Sequence, residues 1–297
     1  MINKAYIILV HKQPEQLTRL IDALDDGAST FYVHIDKKTP THVFEKILPK
    51  IILVEPREDG GWGEFGIVQA TLNAFKQVVE HQKDFDFISL LSGQDYPIKS
   101  NRDIDNFLAN NKEKIFTAFL PFPIATWSGG GGFGRLNIYH YGNRLNPTFI
   151  QKWTGRAINF LPNRIKFLRR TPPKYIPNFY GSSQWFTLPT HAVRYILDFV
   201  SKHPTFVTFN KYSLLPDEFF FQTILCNSSD PNIQHNLVNN NLRYIDWSGR
   251  KNQSPAIFGK EDLNELLTTD ALFARKFDEN YDLEIFDLID KFRAENE

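Results

Sequence analysis

The first third of the chain alternates short apolar runs with amphipathic stretches, and this alternation leaves few folds open to it. Ala5-Tyr6-Ile7-Ile8-Leu9-Val10 is continuously apolar, the pattern of a strand buried on both faces. A helix follows from Pro14, with Leu17, Leu20, Ile21 and Leu24 on one side. Residues 31–35 and 51–54 read as a second and third strand, and 65–79 as a helix directing Ile67, Val68, Leu72 and Phe75 inward. A fourth strand covers 87–91, and Ser100 opens a helix with Asp103 as a variant capping box. Repetition of this unit predicts an α/β fold: a mainly parallel sheet covered by helices on both faces. Such sheets bind ligands beyond the carboxyl ends of their strands.

From 121 to 180 the pattern dissolves into Gly, Pro, aromatic and basic residues. Regular structure resumes with a strand at 184–188, a helix at 191–200, a helix from Pro216, a strand at 242–245 and a terminal helix from about Leu283. The formal charge balance is zero, yet residues 114–197 hold eleven Lys or Arg and no Asp or Glu. That asymmetry suits an anionic partner such as a phosphate, nucleic acid or membrane, or else a basic face with no ligand. Residues 152–174 mix seven Lys or Arg with Trp153, Phe160 and Phe167, a composition that fits a helix lying on anionic lipid. With no nucleic-acid motif beside it, peripheral membrane or lipid-phosphate contact is expected, and no nucleic acid. The lone Cys226 excludes an internal disulfide framework, suits a reducing cytosol, and reads as a buried small hydrophobe near the end of the Pro216 helix.

The carboxylates Asp217 and Glu218 stand between Pro216 and three phenylalanines. Either both acids occupy the first turn of a helix, where its dipole favours them, or Glu218, bordering the apolar face, is a general base. Asp217 reads as the helix-start residue. Gly129-Gly130-Gly131-Gly132-Phe133-Gly134 satisfies a dinucleotide fingerprint without its strand and helix, and reads as a mobile loop covering a site. Asp84-Phe85-Asp86 precedes its strand and lies at the wrong edge for a metal-bound nucleotide sugar. His34 and Asp36 follow the second strand, where Asp36 either holds a ribose or makes a turn, and His34 has no partner at zinc spacing. Trp62, within Gly60-Gly61-Trp62-Gly63, stacks on a base or sugar or else enters the core. Asp95, alone after the fourth strand, is a weak basis for a divalent cation and suits hydrogen bonds from a sugar. Arg275 and Lys276, bracketed by Phe273 and Phe277, suggest a diphosphate grip or an exposed charged face.

Six segments in order resemble the core-2/I-branching N-acetylglucosaminyltransferase and peptide O-xylosyltransferase family, glycosyltransferase family 14. They are Tyr32-Val33-His34-Ile35-Asp36-Lys37, Leu90-Leu91-Ser92-Gly93-Gln94-Asp95-Tyr96-Pro97-Ile98 and Gly181-Ser182-Ser183-Gln184-Trp185-Phe186. Leu215-Pro216-Asp217-Glu218-Phe219-Phe220, Asn240-Asn241-Leu242-Arg243-Tyr244-Ile245-Asp246-Trp247 and Phe273-Ala274-Arg275-Lys276-Phe277 complete the set. The resemblance implies a GT-A-like fold, a UDP-sugar donor, inversion at the anomeric carbon and no metal or other cofactor. It implies Glu218 as catalytic base and Lys276, with Arg275, against the donor diphosphate. His34, Asp36, Trp62 and Asp95 would then belong to the donor side, and Gln184, Trp185 and Trp247 to the acceptor side.

Two positions depart from the family pattern. The branching enzymes carry a second arginine where this chain has Gln253 or Ser254, which favours the xylosyltransferase way of holding UDP. The xylosyltransferases carry Asp where this chain has Gln184, which argues against a peptide acceptor. The implied protein is a single domain over 1–297, with a nucleotide-sugar half (1–120), a basic insert (121–180) and an acceptor and catalytic half (181–297). It is expected to be a bacterial enzyme, cytoplasmic and peripheral on the inner face of the membrane, moving GlcNAc or xylose to a lipid-linked glycan in surface polysaccharide synthesis. A non-catalytic glycan- or nucleotide-binding protein of the same fold, or a peptide O-xylosyltransferase, is the alternative.

Overall fold

The computed structural model describes residues 2–81, 83–140, 149–165, 168–250 and 254–297. Gln253 and Phe167 therefore lie outside the described residues. The strands are β1 (Lys4–Val10), β2 (Thr30–Ile35), β3 (Ile52–Leu53), β4 (Phe87–Ser92), β5 (Asp95–Pro97) and β6 (Ile115–Thr117). They continue as β7 (Leu120–Pro121), β8 (Tyr180–Gly181), β9 (Phe186–Pro189), β10 (Leu237–Asn239), β11 (Arg243–Ile245) and β12 (Phe273–Arg275). Seven of them form one sheet in the order β10-β6-β9-β4-β1-β2-β3. All neighbours in it are parallel except those of β9, which runs against β4 and β6. A smaller sheet, β11-β12-β5, stands beside it.

The apolar run of β1 works as its pattern predicts. Successive side chains point to opposite faces, so Tyr6, Ile8 and Val10 join one core while Ala5 and Ile7 join the other. The first core is closed by Leu17, Leu20, Ile21 and Leu24 of the Pro14–Leu24 helix and by Ile285, Phe286 and Ile289 of the Glu284–Glu295 helix. The second is closed by the Gly66–Glu80, Thr190–Lys202 and Phe220–Cys226 helices. This is the mainly parallel, helix-covered sheet expected of a GT-A-like fold. Ser100 caps its helix as predicted, accepting from Asp103 N at 3.0 Å.

The Pro216 helix is a departure. Residues Pro216–Glu218 make a single 3-10 turn, and the α-helix begins only at Phe220. Three consecutive phenylalanines cannot share one face of a regular helix, and all three are fully buried. The break lets Phe219 pack on Phe122 and Phe179, Phe220 on Phe65 and Phe206, and Phe221 on Phe75 and Phe186. Cys226 ends the later helix half-buried, and burial pushes its thiol up to about 12. The glycine run is also not a loose cover. Gly131 sits at φ +70°, and a Cβ there would meet Pro123 Cβ at 2.4 Å, so the run is a packed turn that only glycine can make.

Candidate active site

Beyond the carboxyl ends of β1, β2 and β4 lies a cavity of about 770 Å³, a size that suits a small organic ligand. His11 and Val10 reach it from β1, His34 and Asp36 from β2, and Ser92 and Gln94 from β4. The Gly60-Gly61-Trp62 loop forms one wall and Gln184, Trp185 and Arg275 another. The six-residue spread of Asp36, Trp62, Gln184, Trp185, His34 and Arg275 along the chain thus converges on one space.

Each lining group is held by identifiable bonds. Asp36 Oδ1 accepts from Lys38 N and its Oδ2 from Gly60 N, both at 2.8 Å, so this carboxylate ties the β2 turn to the glycine loop. His34 Nε2 accepts from Glu58 N at 2.8 Å, and burial holds its pKa near 4, so it lines the wall as a neutral ring. Trp62 is 51% exposed; it is not a core tryptophan. Trp185 is buried, and the Arg275 guanidinium lies over its ring at 4.1 Å from the centroid, a cation on an aromatic face.

Asp95 lies beneath the cavity rather than on its wall. It has no exposed surface, and its Oδ2 accepts from Ser92 N at 2.7 Å and Ser92 Oγ at 2.5 Å. The same oxygen stands 3.7 Å from Arg275 Nη1. Asp95 therefore meets a ligand only through Arg275. A second buried arginine, Arg243, crosses between the two sheets, donating to Leu90 O and Thr187 Oγ1 at 2.9 Å each, and shares the Asp95 charge. Lys276 is half-buried next to Arg275, and burial, Arg275 and Lys12 together lower its pKa. Among the described residues no carboxylate stands within ion-pair distance of Lys276, so its charge is available to an anion. No three His, Cys, Asp or Glu side chains among the described residues converge to hold an ion. Asp86, at the opposite edge of β4, is occupied by Asn3 N at 2.8 Å.

Glu218 does not line this cavity but sits on the segment that joins its walls. Leu215 N donates to Gly63 O at 3.0 Å, beside Trp62, and Ser182 N donates to Glu218 O at 2.9 Å, two residues before Gln184. The Glu218 side chain is 29% exposed, open enough to meet a substrate. Burial raises its pKa, and Arg135 opposes that shift with a 2.5 Å ion pair from Nη1 to Oε2. The Arg135 guanidinium lies 3.6 Å from the centroid of Trp127. Sequence reasoning missed Arg135, although it is the first basic residue after the glycine run; no local spacing links it to an acid 83 positions later. Asp217, read as a simple helix-start residue, is buried with Oδ1 unbonded, and burial with the Glu218 charge raises its pKa to about 7. Trp247, 60% exposed after β11, lies outside the cavity.

Residues 4–127 and 133–267 match the family model described as Core-2/I-Branching enzyme. Xylosyltransferase 2 of Rattus norvegicus is 28% identical over 320 residues, covering 98% of this chain and 33% of the rat protein. Xylosyltransferase 2 of Homo sapiens is 27% identical over 319 residues, covering 97% of this chain and 33% of the human one. A mouse protein, beta-1,3-galactosyl-O-glycosyl-glycoprotein beta-1,6-N-acetylglucosaminyltransferase 4, is 25% identical over 303 residues, covering 94% and 62%. The chain thus spans about a third of the length of the xylosyltransferases that it matches.

Proposed function

The chain belongs to the Core-2/I-branching enzyme family, and from that premise we propose that it is an inverting glycosyltransferase moving GlcNAc or xylose from a UDP-sugar to a glycan hydroxyl. One observation carries the reading: a cavity at the sheet's carboxyl edge with Arg275 on its wall, and the part-exposed carboxylate Glu218 on the segment that bridges its walls. UDP would occupy the cavity, with its base or ribose against Trp62 and Asp36 and its diphosphate against Arg275 and Lys276. Glu218 would accept the acceptor's hydroxyl proton as that oxygen bonds to the anomeric carbon. The carbon–phosphate-oxygen bond breaks on the opposite face, its electron pair leaving with UDP, so an α-linked donor yields a β linkage. Arg275 and Lys276 would offset the charge developing on the diphosphate, so that no metal is required.

Glu218→Gln, assayed for UDP release with acceptor present, is expected to lose about 10²–10⁴-fold in rate. Near-normal turnover would refute the assignment. Metal independence stands apart: activity abolished by EDTA and restored by Mn²⁺ would remove it. UDP-xylose and UDP-GlcNAc, compared by thermal shift, decide the donor, because a ligand that binds only the native state raises stability.

We propose further that the acceptor is lipid-linked, in surface polysaccharide synthesis at the cytoplasmic membrane face. The support is the Phe149–Arg164 helix, where Phe149, Trp153 and Phe160 are exposed beside Arg156 and Arg164. Among the described residues no helix is long and apolar enough to cross a membrane. Sedimentation with anionic and neutral liposomes checks this, and equal recovery with both would make the segment an ordinary basic face.

A further inference from the structure

A second hollow, of about 500 Å³, lies where the chain leaves for and returns from the exposed Phe149–Arg164 helix. Its rim carries Tyr139, Tyr175 and Tyr212, each about two-fifths exposed, with the hydroxyls of Thr205 and Thr208 between them. Tyr175 Oη and Thr205 Oγ1 stand 2.7 Å apart, and the Tyr139 and Tyr212 rings meet edge to face at 5.8 Å. Beneath them Arg170 is buried. Its Nη1 donates to Ile138 O (3.1 Å), Tyr212 O (2.7 Å) and Ser213 Oγ (3.3 Å), and its Nη2 to Phe209 O. The same guanidinium supports the Tyr139 and Phe209 rings at 5.2 and 4.1 Å.

The chemistry of this hollow is specific. Arg170 is the charged residue among its described lining, and its donors are directed to backbone carbonyls and a buried hydroxyl, so no free charge is offered to a phosphate or carboxylate. What remains is a set of fixed aromatic faces interleaved with neutral hydroxyls. A pyranose presents the complementary surface, with an apolar C–H face and a hydroxyl edge, and rings already held in place lower the entropy cost of binding it. The hollow is also tied to the proposed transfer centre. Leu214 N donates to Arg135 O at 3.0 Å and His140 N to Tyr212 O at 2.9 Å, so residues 135–140 run beside 212–214. At one end of this ladder is the Arg135–Glu218 pair, and at the other are Tyr139 and Tyr212.

We propose that this tyrosine-rimmed hollow is a saccharide subsite that holds a sugar of the acceptor glycan beyond the one that reacts. Calling that glycan the acceptor rests on the transferase reading; binding of a saccharide does not. The test uses the full chain and four probes, cellobiose, cellotetraose, chitobiose and chitotetraose, each at millimolar concentration in saturation-transfer NMR and calorimetry. At least one is expected to bind, more tightly as the tetramer than as the dimer. Tyr139→Ala and Tyr175→Ala should each weaken it about tenfold, while Tyr175→Phe, which keeps the ring, changes it little. If a truncation fails to melt cooperatively, Thr208→Trp, which fills the hollow from an exposed position, should abolish binding instead. Binding of none of the probes, or binding indifferent to these substitutions, overturns the proposal. UDP thermal shift and the Glu218→Gln rate are read separately: saccharide binding that survives Glu218→Gln supports the subsite even where the transferase reading fails.

Discussion

The buried carboxyl of Asp217 makes a prediction whose size follows from its surroundings. Its pKa is raised from the ordinary 3.8 to about 7, first by burial and then by the Glu218 charge. Between those two values the folded state keeps a proton that the unfolded chain has released. Stability must therefore fall as pH rises across that window. The interval is about three pH units at about 1.4 kcal/mol each, so the contribution of Asp217 alone falls by about 4 kcal/mol between pH about 4 and about 7. Asp217→Asn keeps the shape and the oxygen but cannot ionise, so it should escape this loss. Urea unfolding, followed by tryptophan fluorescence at pH 5 and pH 8, is the assay. The variant's advantage should grow markedly from the lower to the higher pH. Parallel pH dependences for the two proteins would mean that Asp217 is ionised in the folded state, and the argument from burial would fall.

Three further substitutions probe the site. Arg135→Met removes the cation that opposes the burial shift of Glu218, so the acidic limb of kcat/KM should move up by about one pH unit or more; an unmoved limb would mean that Glu218 is not the titrating base. Trp62→Ala should weaken UDP binding about tenfold in calorimetry if the exposed indole stacks on the donor, and unchanged affinity would remove it from the site. Arg275→Ala removes the guanidinium in ion-pair contact with buried Asp95, leaving Arg243 alone to offset its charge, and should cost about 3 kcal/mol in urea unfolding. Asp95→Asn in the same chain should recover part of that loss, and strictly additive effects would show that the two groups are not coupled.

How much of this was legible in the sequence depends on the range of the forces involved. Strand and helix periodicity is local, so the two faces of β1 and the apolar stripe of the Pro14–Leu24 helix could be read directly. The convergence of Asp36, Trp62 and Arg275 followed from the rule that parallel sheets bind at their carboxyl edge, together with the family resemblance, whereas Gln184 and Trp185, assigned to the acceptor side, line the same cavity. The Arg135–Glu218 pair was not legible, because a glycine turn folded against Pro123 brings the arginine across and no periodicity encodes that approach. Nor was the burial of Asp95. One acid after a strand looks alike whether it faces a ligand or supports an arginine, and only the packing of β5 against β12 decides. The helix expected from Pro216 gave way to a tertiary demand, the burial of three adjacent aromatic rings in three directions.

That same break explains how two neighbouring carboxyls come to differ. In a regular first turn, Asp217 and Glu218 would share one environment and repel each other. The 3-10 turn instead drives Asp217 inward, where burial and the charge of Glu218 favour its neutral form below about pH 7. Glu218 is left part-exposed with a guanidinium against it, an arrangement that keeps a single negative charge at this point of the chain. Adjacent acids separated in this manner acquire distinct roles by environment alone. On this view the neutral Asp217 matters to the reaction chiefly by not being charged. An ionised Asp217 would compete for Arg135 and raise the Glu218 pKa further, so Asp217→Asn should preserve transfer activity, whereas Glu218→Gln should lower it about 10²–10⁴-fold. Comparable losses from both would require the two carboxyls to act as one unit.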